Sequence, residues 1–166
     1  EKCRLLRNHG LEDRDSATIW GYNSRFDELQ ASFALIKLSF IEEWSLRYNE
    51  IAQYYDKHLS PAVSKPLIRT HFRDVYHNYV ILVPSSIRNS LQELLMVEGV
   101  ETKVHYPIPL HKQKCYTHEF GDTISLPNAE SYADQMISLP IYPLLTDFEL
   151  QFICSTFNRL YSLSVK

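Results

Sequence analysis

From Tyr22 to Ser60 the sequence contains neither glycine nor proline, and no other feature restricts the fold as much. A run of that length without a breaker is helical when its apolar residues recur every three to four positions. Here Leu29, Phe33, Ile36, Phe40 and Trp44 do so, and Ala31, Leu35, Leu38 and Ile41 widen the stripe. The spacing predicts one long helix. Ser24 followed three residues later by Asp27 reads as a capping box, and Asp27 with Glu28 puts negative charge in the first turn, where the helix dipole favours it. Carried through to Leu59 at 1.5 Å per residue, this helix would be roughly 50 Å long. That is more than one small core uses, so it reads as a spine between domains.

On its N-terminal side, Lys2 to Arg7 reads as the end of a helix stopped at Gly10, and Leu11 to Thr18 as a polar connector. On its C-terminal side, Pro61 and Pro66 open a loop. Val75 to Val83 then reads as a largely buried strand halted by Pro84. Ser85 or Ser86 can cap a helix carrying Ile87, Leu91, Leu94 and Leu95, and Gly99 stands where a left-handed terminator is wanted. Val100, Thr102, Val104 and Tyr106 alternate as a second strand. A stiff Pro107–Pro109 segment and a loop with His111, Lys112 and Lys114 follow. Asn128 is expected to cap a short helix running through Ile137, Pro140 and Pro143 bracket an extended piece, and Thr146 with Glu149 forms a capping box before a terminal amphipathic helix. The fold class is α/β, a small sheet covered by helices. The divisions expected are 1–22, 23–60 for the long helix, and 61–166 for a small α/β domain.

With 166 residues, 45% of them hydrophobic, the chain can bury a real core. A formal charge of -3 with interspersed signs provides no basic stripe for nucleic-acid phosphates or anionic lipid, so neither is expected as a partner. Ala31 to Ile41 is about half of the roughly 20 residues a membrane span needs, and Lys37 interrupts it. Cys3, Cys115 and Cys154 are odd in number and form no paired motif, which suits reduced thiols and a cytoplasmic setting. Glu1 is followed directly by residues that read as a helix end, as in a piece of a longer polypeptide.

Asn23, Ser24 and Arg25 fall at the predicted start of the long helix, where free backbone N–H groups and the dipole suit an anion, and all three side chains can donate to a phosphate. The plainer alternative is that Asn23 and Ser24 cap the helix and Arg25 pairs with a carboxylate. His105, Tyr106 and His111, stiffened by the intervening prolines, form a polar corner suited to substrate contacts, against the alternative of ordinary loop packing. Lys103 alternates onto the strand face of His105. His111, Cys115 and His118 lack the fourth ligand and the spacing of a zinc site, so no metal is expected. Four glycines, none clustered, exclude a glycine-rich phosphate loop.

The segments RLLRNHG, GYNSRFDELQAS, YHNYVILV, GVETKVHYPIPLH and LPNAESYADQMISLPIYPLLTDFEL, in this order and spacing, resemble the C-terminal portion of the DegT/DnrJ/EryC1/StrS aminotransferases. These fold-type I enzymes use pyridoxal 5'-phosphate to aminate nucleotide-linked keto sugars in amino-sugar and surface-polysaccharide synthesis. The resemblance covers nearly the whole chain. It implies a long helix leading into a small domain with a mostly antiparallel sheet, and a homodimer whose active sites draw on both subunits. It implies Asn23 at the cofactor phosphate of the other subunit, Arg25 beside it at the same anion or at the sugar nucleotide, and His105, Tyr106 and His111 at the substrate entrance. An amino donor, glutamate by family habit, is implied as well. The lysine that carries the cofactor would lie upstream of Glu1, and no lysine here occupies its context, so the chain alone is expected to be inactive. A non-catalytic module that binds a sugar nucleotide or dimerises is the alternative.

Overall fold

The computed structural model describes residues 1–24, 26–67, 71–121 and 124–165. It divides into two compact units, Glu1–Glu42 and Glu43–Lys166. No helix among the described residues is long and apolar enough to cross a membrane.

The first unit begins with α1 (Lys2–Arg7). The turn after it is closed by Gly10, whose N–H donates to the Leu5 carbonyl and whose φ is +76°. The chain then makes an excursion and returns. The Tyr22 N–H donates to Leu6 O, the His9 N–H to Tyr22 O and the Ser24 N–H to Arg7 O, so that Asn8 and Asn23 face each other as an antiparallel bridge. Two glycines make the close return feasible. A Cβ at Gly10 would stand 1.7 Å from the Ile19 carbonyl oxygen, and one at Gly21 would stand 2.2 Å from the Gly10 nitrogen. No side chain longer than hydrogen fits either place.

The helical stretch expected over 23–60 is built as two helices. α2 (Glu28–Leu38) starts five residues later than the spacing suggested, and Asp27 caps it by accepting from the Leu29 and Gln30 N–H groups. The expected Ser24–Asp27 capping box is therefore replaced by Asp27 acting as the cap itself. α3 (Ile41–His58) follows a turn at Ser39–Phe40. The Ser39 hydroxyl donates to the Ile36 carbonyl at 2.7 Å, and the Ser39 and Phe40 N–H groups bond three residues back instead of four. A serine hydroxyl competing for a helix carbonyl tightens the last turn and ends the regular ladder. Ser39 keeps right-handed helical angles, so the break needs no glycine or proline that would mark it in the sequence. No side chain of α2 is buried.

In the second unit, β1 (Tyr79–Leu82) pairs antiparallel with β2 (Met136–Leu139), Tyr79 opposite Leu139 and Leu82 opposite Met136. Single bridges extend this ladder on both edges, Ser64 beside Leu82 and Lys103 beside Ser138. The strand expected from Val100 to Tyr106 is thus reduced to its Lys103 bridge. The helix expected through Ile137 stops earlier: α6 (Pro127–Gln135), with Pro127 in its first turn and Leu126 rather than Asn128 at the cap, gives way to β2 at Met136. Met-Ile-Ser-Leu is too short for a period that separates strand from helix, and three of its four residues, Ser138 among them, are buried, so no alternation marks it.

Around the ladder lie α3, α4 (Ser85–Val97) and α7 (Asp147–Ser164). Their buried residues Ile51, Tyr55, Leu91, Leu95, Leu150, Phe157 and Leu160 close one core with Tyr79, Ile81, Ile137 and Leu139. α4 ends in a Schellman motif, with Val100 N–H to Leu95 O, Gly99 N–H to Met96 O, and Gly99 at φ +85°. Both halves of the Thr146–Glu149 capping box are present at α7. The buried phenols are satisfied: Tyr55 donates to Pro140 O and Tyr79 to Asp56 Oδ1, each at 2.6 Å.

Burial pushes the Cys154 thiol up to about 12, so at neutral pH it stays protonated inside the core. Timed alkylation should therefore spare Cys154 in the folded protein and modify it only with denaturant, while exposed Cys115 reacts without it. Rapid native labelling of Cys154, located by peptide mapping, would contradict this packing.

Candidate functional site

The first candidate residue belongs to the first unit. Asn23 sits on the bridge to Asn8, four residues before the α2 cap, with its side chain exposed. It is positioned by the glycine-based return of the chain and not by the helix terminus. The anion site expected at the α2 N-terminus is not formed, because the Asp27 carboxylate already takes the Leu29 and Gln30 amides and places a negative charge there. Arg25 lies outside the described residues.

The remaining candidates belong to the second unit and cluster along 105–111. The Lys103–Ser138 bridge is made by two backbone hydrogen bonds, Ser138 N–H to Lys103 O at 2.7 Å and Lys103 N–H to Ser138 O at 3.2 Å. It brings the next part of the chain alongside β2. His105 Nδ1 and the buried Ser138 Oγ then lie 2.8 Å apart. Tyr106 packs edge-on to His105, ring centroids 5.5 Å apart, and is 72% exposed.

The segment separates two depressions. On one side is a cleft of about 440 Å³ with His77, Asn78, Lys103, His105, Ser138 and Tyr142 on its walls. On the other is a mainly apolar groove of about 890 Å³, in which Tyr106, Pro107, Pro109 and His111 face Tyr132 and Ala133 of α6 and Tyr116 of α5 (Lys114–Phe120). His105 lines the cleft, and Tyr106 the groove. Lys103 is held near Glu101, 3.4 Å away.

His111 is placed differently from the exposed contact residue its sequence setting suggested. Only 6% of it is exposed, and its Nε2 lies 2.9 Å from Glu130 Oε1. Glu130 belongs to α6, nineteen residues away with no sequence motif joining the two, and its role was not readable from the sequence. Ser138 was missed because its partner His105 reaches it only through strand pairing. Among the described residues, no group of three His, Cys, Asp or Glu side chains converges as a metal site would require.

Residues 1–158 match the family model of the DegT/DnrJ/EryC1/StrS aminotransferase family. The chain belongs to that family. It is 35% identical to a dTDP-3-amino-3,6-dideoxy-alpha-D-galactopyranose transaminase of Aneurinibacillus thermoaerophilus, the alignment covering 96% of this chain and 43% of that protein. It is also 35% identical to a UDP-2-acetamido-2-deoxy-3-oxo-D-glucuronate aminotransferase of Pseudomonas aeruginosa, covering 94% of this chain and 42% of that one. Among solved structures, DesV of S. venezuelae superposes with a TM-score of 0.87 at 31% identity, over 96% of this chain and 43% of DesV. The chain thus spans less than half the length of the relatives it matches. Aminotransferases of this family depend on pyridoxal phosphate, and among the solved neighbours is one with bound pyridoxamine phosphate. Of the donors described here, the Asn23 carboxamide, exposed on a backbone held by three hydrogen bonds, fits a phosphate oxygen, whereas the capped end of α2 does not.

The Glu130 carboxyl is held below the usual carboxylate range, first by the hydrogen bond with His111, then by the Leu126 N–H and by nearby Lys112. A carboxyl lowered by folding contributes its stabilisation fully above its unfolded value and loses it as pH falls through the lower folded value. An NMR titration of Glu130 should show a midpoint below the ~4.3 of a free glutamate, and in His111→Ala the midpoint should move back up. A midpoint at or above the free value would contradict the arrangement.

Proposed function

We propose that this chain is the C-terminal part of a pyridoxal-phosphate-dependent aminotransferase that moves an amino group, from glutamate as donor, onto a nucleotide-linked keto sugar. The observation that carries the proposal is the family match over 1–158, joined to relatives that act on dTDP- and UDP-linked sugars. In this reading Asn23, with Arg25 beside it, holds the cofactor phosphate. His105 and Tyr106 contact the sugar nucleotide, with His111 behind them. The cofactor, carried by a lysine outside this chain, supplies the electron sink for the amino transfer. The residues of this chain bind and orient.

His105 is a hydrogen-bonding group on a fixed backbone, its Nδ1 engaged with Ser138 and its ring on the wall of the cleft that also holds His77, Asn78 and Lys103. Tyr106 offers an exposed aromatic surface beside it. On α2, Leu29, Phe33, Leu35 and Ile36 are all exposed, an apolar face that the rest of the full-length protein or a second subunit would cover.

The test is made in the full-length protein that contains this chain, supplied with glutamate and with dTDP- and UDP-linked keto sugars. Turnover of at least one of these with glutamate consumption is expected, and absence of turnover with all of them rejects the proposal. Asn23→Ala should weaken cofactor retention on the order of ten- to a hundredfold, as expected for one lost hydrogen bond to a charged group, with unchanged circular dichroism. Mixing Asn23→Ala subunits with subunits lacking the cofactor-bearing lysine should restore part of the activity if the phosphate is held across the dimer. Verified heterodimers without recovery would assign Asn23 to its own subunit's site or to none.

A further inference from the structure

Glu130 Oε1 receives two groups at once: the Leu126 N–H at 2.9 Å and His111 Nε2 at 2.9 Å. An ionised carboxylate only accepts, so His111 presents Nε2–H to it. The first bond closes the entry to α6, whose early N–H groups have no partner within the helix. The second reaches the short 3-10 turn Leu110–Lys112 that ends the proline segment. The turn is itself closed by the Lys112 N–H on Pro109 O and the Gln113 N–H on Leu110 O. One oxygen atom therefore ties the two walls of the apolar groove together, the Tyr106–His111 wall and the α6 wall. The other end of the same segment is anchored by His105 on Ser138. Tyr106 stands between these two anchors with no hydrogen bond to its hydroxyl among those described.

We propose that Glu130 is a positioning residue for sugar-nucleotide binding: acting through His111, it fixes the 105–111 segment so that His105 and Tyr106 meet the substrate in one conformation. This deepens the function proposed above and rests on it for the identity of the substrate. His111 is thereby a strut and not a ligand contact, in keeping with its withdrawal from solvent. Without the strut the segment would be ordered only when substrate binds, and that ordering would be lost from the binding energy. The donor half of the reaction does not involve the nucleotide and should not register the change.

The full-length protein is compared with Glu130→Gln, Glu130→Ala, His111→Ala and the double variant Glu130→Ala/His111→Ala. For Glu130→Ala the expected result is a KM for the nucleotide sugar raised about tenfold, with kcat within about twofold and the donor half-reaction, followed by cofactor absorbance, unchanged. Glu130→Gln, which keeps an acceptor oxygen but not the charge, should fall between wild type and Glu130→Ala. The double variant should be no worse than the worse single variant, because the two residues act as one unit. Additive losses, equal loss in both half-reactions, or an unchanged KM would overturn the proposal. If the wild-type protein turns over no nucleotide-linked sugar, the function proposed above fails while the strut remains measurable. Amide exchange over 105–113 should then quicken in Glu130→Ala with α7 unaffected, and unchanged exchange would overturn the strut as well.

Discussion

The pairing of β1 with β2 is the constraint on which the second unit depends. Each strand is only four residues long, and a two-stranded ladder by itself is marginal in water. It persists because Tyr79, Ile81, Ile137 and Leu139 are sealed by α3, α4 and α7. The ladder in turn dictates the site. Ser138 is bonded through its backbone to Lys103 and through its hydroxyl to His105, so the register that sets Ser138 opposite Val80 also sets where the polar segment begins. A slip by one residue would send Ser138 to the opposite face and remove the anchor of His105.

Among the short-range signals in the sequence, two held, whereas the Ser24–Asp27 box and the Asn128 cap gave way to caps at Asp27 and Leu126. The Thr146–Glu149 box and the terminator at Gly99 are each set by residues a few positions apart, and both occur as their types predict. Features decided at longer range were hidden. β2 exists because it pairs with a strand more than fifty positions earlier, and its own four residues do not distinguish strand from helix. The turn at Ser39 was hidden for another reason: one hydroxyl competing for one carbonyl needs no glycine or proline that would mark it in the sequence. In the site, the polar corner of His105 and Tyr106 was legible as residue types on a stiff segment. The burial of His111 was not, because its partner Glu130 is brought to it only by the packing of α6.

A small number of backbone anchors thus does most of the positioning. His105 is held from a strand edge, His111 from a helix entry, and Asn23 from a doubled-back chain. None of these residues lies inside an α-helix or a β-strand. His105 and His111 are each fixed instead by one side-chain hydrogen bond to such an element, and Asn23 by the bonds of Tyr22 and Ser24 to α1, which gives side chains on irregular backbone a defined place without committing them to a helical or strand period.

The doubled-back chain of the first unit has one more implication. Because Gly10 and Gly21 are in near contact and Asn8 is bridged to Asn23, the segment from Leu11 to Ile19 leaves and re-enters at a closed neck. Its internal ties, the Leu11–Ala17 bridge and the Asp13 carboxylate accepting from Asp15 and Ser16, are local to the excursion. Loop-closure entropy grows only slowly with length. Residues gained or lost at the tip of this excursion during divergence would therefore leave the neck in register, so that the stretch can change length from one relative to another while Asn23 stays where it is.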